Sequence, residues 1–88
     1  PNPFNPETWI PFTLGAASAV QLNIYHTGGS LVRSMELGPR PGGVYVQPGR
    51  AARWDGRDDA GDLVASGWYV VELVAGSQRR TTRALLAK

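Results

Sequence analysis

Glycine and proline fall so often along this chain that no amphipathic helix fits between them. Eleven glycines and seven prolines divide the 88 residues into short runs. A core-facing helix needs about 10–12 residues of 3.6-residue periodicity. The runs alternate instead. Residues 19–26, AVQLNIYH, set Val20, Leu22 and Ile24 on one face and Gln21, Asn23 and Tyr25 on the other. Residues 67–75, GWYVVELVA, do the same with Tyr69, Val71, Leu73 and Ala75. Their opposite face, Trp68, Val70, Glu72 and Val74, is apolar enough to be partly covered.

The remaining segments are weaker. Residues 1–7 read as extended, because Pro3 and Pro6 push Asn2 and Asn5 out of the helical region. In residues 8–14, TWIPFTL, Ile10, Phe12 and Leu14 share a face. Pro11 cannot donate to a ladder, so this is predicted as an edge strand. TGGS is predicted to turn, with Gly28 and Gly29 free to take positive φ. The returning strand, residues 31–37, leaves its facing open, since Leu31 and Val32 cannot both point inward. Residues 38–49 read as a long loop with a short extended piece at Val44–Val46. A short strand over 50–54 and a last one over 79–87 complete the set. The pattern predicts an all-β, immunoglobulin-like antiparallel β-sandwich of about seven strands.

The length allows one small domain, residues 1–88, with a modest core and little room for a deep cavity. A net charge of +2 is too small to argue for nucleic acid. Its distribution says more. Acids gather at 55–62, and Arg79, Arg80, Arg83 and Lys88 fall near the end. The chain has no cysteine, which excludes disulfides and cysteine metal sites. No apolar run reaches the ~18–20 residues of a membrane span. The start at Pro1, without Met, reads as a piece cut from something longer.

The densest chemistry is WDGRDDAGD, with Asp55, Asp58, Asp59 and Asp62. A calcium loop of the EF-hand type wants Gly at position 6 and Glu at position 12. Counted from Asp55, those positions hold Ala60 and Ser66, and position 3 holds Arg57. A looser calcium site on the four carboxylates is chemically possible. Against it, Arg53 and Arg57 stand ready to neutralise them, and Asp and Gly dominate turns for conformational reasons. The spacing favours a structural turn over calcium, and calcium over catalysis. Glycoside hydrolysis needs two acids across a cleft. Glu7, Glu36 and Glu72 are each isolated. His26, the sole histidine, has no GxSxG partner and reads as a turn residue. No catalytic residue is expected.

Trp9, Tyr25 and Trp68 fall opposite the core-facing residues. Such a row could stack sugar rings or dock a neighbouring domain. The plainer reading folds Trp68 over a sheet edge and packs Trp9 on the proline-rich start. Trp54 is placed at a strand end, plugging the sandwich. The basic stretch SQRRTTRALLAK has no interleaved aromatics, so it reads as a solvated strand face or a recognition strip for protein, not for nucleic acid.

Taken in order, PNPFNPETWIPFTL, VQLNIYHTGGSLVRSMEL, WDGRDDAGDLVASGWYVVEL and RRTTRALLAK resemble one family. It is the Ig-like domain of the flagellar hook-capping protein, with the related C-terminal sorting domains of type IX secretion. The resemblance covers almost the whole chain. Pro1, Asn2 and Pro3 match the opening; Gly29, Leu31 and Val32 match the G-x-L-V turn and strand. Trp54, Asp55, Gly56 and Gly61 match the W-D-G…G loop, and Ser66, Gly67 and Tyr69 match S-G-x-Y. The segment GPRPGGVYVQPGRAA is longer than usual, and Trp68 stands where a smaller residue is usual. The resemblance implies a non-enzymatic C-terminal module for sorting or surface attachment of a larger, secreted or surface-exposed bacterial protein. It implies as partners the other domains of its own chain and the outer-membrane export machinery. The alternatives are a structural assembly module like the hook-cap domain, or an accessory module binding calcium or carbohydrate.

Overall fold

The computed structural model describes residues 8–87, so Pro1, Asn2, Pro3 and Lys88, and the extended segment expected over 1–7, lie outside the described residues. Eight strands follow in order: β1 (Thr8–Ile10), β2 (Phe12–Leu14), β3 (Ser18–His26), β4 (Leu31–Arg40), β5 (Gly43–Tyr45), β6 (Ala52–Trp54), β7 (Gly67–Ala75) and β8 (Gln78–Leu86). One antiparallel sheet has the order β4-β3-β7-β8. Two strand pairs, β1-β6 and β2-β5, complete the fold, also antiparallel. The expectation of an all-β Ig-like sandwich holds.

The core forms because each strand's inward residues meet in one cluster. Val20, Leu22 and Ile24 of β3 and Tyr69, Val71 and Leu73 of β7 come from the sheet; Ile10, Phe12, Leu14 and Tyr45 come from the facing pairs. Burying one such side chain is worth roughly 1.5–3 kcal/mol. Phe12 and Tyr45 stack at 4.6 Å between ring centroids, which locks β2 to β5. Trp54 is wholly buried and meets Tyr69 edge-on at 5.0 Å, plugging the core as its position suggested.

Three expectations need correction. The run at 8–14 is two strands, because Pro11 interrupts it and each half takes a different partner. The loop expected from residue 38 begins later: Gly38, Pro39 and Arg40 continue β4 and pair with Val20, Ala19 and Ser18. Pro39 is tolerated because β4 lies at the sheet edge, where a missing N–H breaks no ladder. At TGGS, Gly29 takes φ +105°, while Gly28 stays outside the positive-φ region.

The open facing of β4 has a physical cause. Its ladder with β3 shifts register twice, between Val20 and Gln21 and between Ile24 and Tyr25. An extra residue at a bulge breaks strict alternation. Val32 is thereby buried and Leu31 exposed, and Arg33 reaches the acidic loop.

Candidate functional site

The acidic loop is built from backbone-directed hydrogen bonds. Asp58 starts a turn: Gly61 N donates to Asp58 O at 3.0 Å, and Gly61 takes φ +89°. Asp58 Oδ1 accepts from the amides of Ala60 and Asp62, each at 3.0 Å. Asp55 Oδ1 accepts from Arg57 N at 3.1 Å and from Arg33 Nη1 at 3.2 Å. Asp59 Oδ1 accepts from Ser34 N at 3.0 Å. Trp54 Nε1 donates to Arg57 O at 2.9 Å, anchoring the loop to the core. Among the described residues, no three His, Asp or Glu side chains stand together as metal ligands. Arg33 of β4 is an arginine on these acids, which the sequence did not suggest; Arg57 turns its Nη1 to Gly61 O at 2.8 Å. Sequence distance hid Arg33, since the bulged register of β4 is what brings it there.

The outer face of the four-stranded sheet carries a polar network across all four strands. Ser34 Oγ of β4 donates to Asn23 Oδ1 of β3 at 2.5 Å. Asn23 Nδ2 donates to Glu72 Oε1 of β7 at 3.0 Å, and Arg79 Nη1 of β8 reaches Glu72 Oε2 at 3.1 Å. The hydrogen bond from Asn23 is the first reason Glu72 stays below the usual carboxylate range; partial burial opposes it, and Arg79 and Tyr25 add to it. Tyr25, grouped with the tryptophans in the sequence, is held in this network through its hydroxyl at 3.4 Å from Glu72.

The tryptophans are placed otherwise. Trp9 of β1 and Trp68 of β7 are 37% and 55% exposed, and the proline-rich start expected to receive Trp9 lies outside the described residues. Together with Arg83 and Leu85 of β8 they line one surface hollow of 420 Å³. The Arg83 guanidinium lies 5.7 Å from the Trp68 ring centroid, within cation–π range. Arg80 lines the adjoining hollow, and Arg79 belongs to the polar network. The candidates Trp9, Trp68, Arg80 and Arg83 therefore converge on one strip along β8. Thr82 and Leu85 join them, and the β7–β8 pairing of Trp68 with Leu85 is the signal that finds them.

The family motif residues have structural duties. Gly29, Gly56, Gly61 and Gly67 all take positive φ, which a side chain would strain. Tyr69, buried, donates its hydroxyl to Ala65 O at 2.5 Å, four residues upstream. Burial raises its phenol pKa. A tyrosine bonded back to upstream backbone is a recurring device in Ig-like sandwiches.

Fold and motif residues together define an Ig-like β-sandwich module. The FlgD Ig-like domain family model matches residues 8–79, and the chain belongs to that family. The crystal structure of FlgD from P. aeruginosa is similar to it, with a TM-score of 0.71 at 21% identity. That match covers 96% of this chain and 66% of the FlgD chain, so this chain spans just under two thirds of that structure. No curated protein matches the chain in sequence.

Proposed function

We propose that this chain is a structural assembly module, a non-enzymatic sandwich that packs against neighbouring domains of its own protein or against subunits of a larger assembly. The observation that carries this is the family membership over residues 8–79. Hook capping, the role the resemblance implies for that family, is an assembly task. The local chemistry agrees with it. The carboxylates of Asp55, Asp58 and Asp59 serve amide and guanidinium donors, and the network around Glu72 and Asn23 ties four strands together. The export-sorting expectation, with its outer-membrane partners and surface location, draws no support from the family match. The test is deletion of residues 8–87 from the gene that encodes them. Loss of the protein from its high-mass fraction on size exclusion, with normal export, is the expected result. Unchanged high-mass assembly, or retention inside the cell, would overturn the reading.

A further inference from the structure

The four-stranded sheet ends differently at its two edges. At β4 the acidic loop lies along the strand: Asp59 N donates to Val32 O, and Ser34 N donates to Asp59 Oδ1, both at 3.0 Å. Backbone groups of that edge are already engaged. At the other edge β8 pairs, among the described residues, with β7 alone. In an antiparallel ladder, alternate residues turn their N–H and C=O away from the partner. Counted from the two-residue turn that pairs Ala75 with Gln78, those on β8 are Arg79, Thr81, Arg83 and Leu85.

A trough accompanies this edge. Three hollows of 420, 230 and 460 Å³ lie in series between β8 and the β1–β2 segment. The first two share Ile10, Pro11 and Thr82, and the last two share Thr13, Leu73 and Arg80. One end is apolar, at Trp9, Trp68 and Leu85. Arg83 lines that same end and Arg80 lines the other two hollows, and no Asp or Glu among the described residues lines any of the three.

Charge selects the occupant. A second copy adding its own β8 would bring two sets of Arg79, Arg80 and Arg83 into one strand pair that carries no carboxylate, and like charges across strands destabilise a pair. Its β4 edge lies under the acidic loop. A strand bearing carboxylates meets Arg80 and Arg83, neither of which has a carboxylate partner among the described residues. We infer that the β8 edge is a strand-addition site for an extended acidic segment of a partner protein, whose apolar residues seat against Trp9, Trp68 and Leu85. This rests on the assembly reading and names where the module engages its partner.

The test uses the 88-residue chain and a blocked nine-residue peptide alternating glutamate and valine, matched to the nine residues of β8. Expected are amide shifts at Arg79, Thr81, Arg83 and Leu85, a change in tryptophan fluorescence, and affinity that falls with added salt. The lysine-for-glutamate peptide should bind at least about tenfold more weakly. Thr81→Pro removes an outward N–H while sparing the β7 ladder. It should abolish binding while the amide spectra of β3 and β7 stay unchanged. R80E/R83E should invert the preference between the two peptides. No shift on β8 at millimolar peptide, binding undisturbed by Thr81→Pro, shifts confined to Asp55–Asp62, or a β8-linked dimer that excludes the peptide would each overturn the assignment. A chain required for assembly that still ignores the peptide refutes the β8 site alone.

Discussion

At the scale of single residues, Trp54 and Glu72 carry the clearest consequences. Trp54 fills the core, and its indole N–H holds the Arg57 carbonyl. Trp54→Ala leaves a large cavity and should cost about 3–5 kcal/mol. Urea unfolding of the variant measures this directly; a loss below about 1 kcal/mol would mean the ring's site collapses without penalty. Glu72 gives a pH prediction. Its folded pKa is lowered, first by the Asn23 hydrogen bond. The unfolded chain therefore takes up the proton more readily, and stability falls as pH falls. The contribution is complete above the ordinary glutamate value of about 4.3 and disappears as pH drops through the folded value. Glu72→Gln should flatten the urea midpoint across that acid window. Tyr69 works at the other extreme. Its raised pKa keeps the phenol neutral in the fold, so stability should decline as pH rises past about 10.

At the scale of elements, the acidic loop is held by many short bonds in exposed surroundings. Asp58 accepts two amides at 3.0 Å, and Asp58→Ala should cost about 1 kcal/mol, a figure kept small by solvent exposure. Loop amide exchange should speed up while β3 and β7 stay protected. Calcium at millimolar concentration should leave the melting temperature unchanged, because Asp55, Asp58 and Asp59 already serve protein donors. A calcium-dependent rise in Tm would contradict this. The same elements show what the sequence could tell. β3 and β7 alternate without interruption, and β7 was legible end to end and β3 all but Ser18. β4 was not, because two bulges override its alternation and a proline sits within it. The tryptophan strip was legible only as a row of outward residues. Its union with Arg80 and Arg83 depends on the β7–β8 register and on β1 lying beside β8. Long-range strand order is not written in local periodicity. Arg33 fails for the same reason: its partners lie in a loop that only the folded sheet brings to it.

At the scale of the whole molecule, the two sheet edges explain the placement of charge. Open edges invite pairing with other chains, and charged residues or covering loops blunt them. Here the acid cluster and the basic strand occupy opposite edges of one sheet. The acid cluster is therefore more than a turn: it covers β4 through Asp59, and Arg33 holds it there at 3.2 Å from Asp55. The basic strand leaves β8 open to acidic strands and closed to its own kind. This asymmetry makes a prediction about association. In R33A/D59A the loop loses its guanidinium tether and its side-chain bond to Ser34 N, leaving the Asp59 N–Val32 O bond as its hold on the β4 edge, which opens more readily. That edge carries no Arg80 or Arg83 to repel a copy. Sedimentation velocity should show concentration-dependent self-association in R33A/D59A and a single monomeric species in the unaltered chain. A variant that stays monomeric while its loop amides lose protection would show that the loop does not guard the edge.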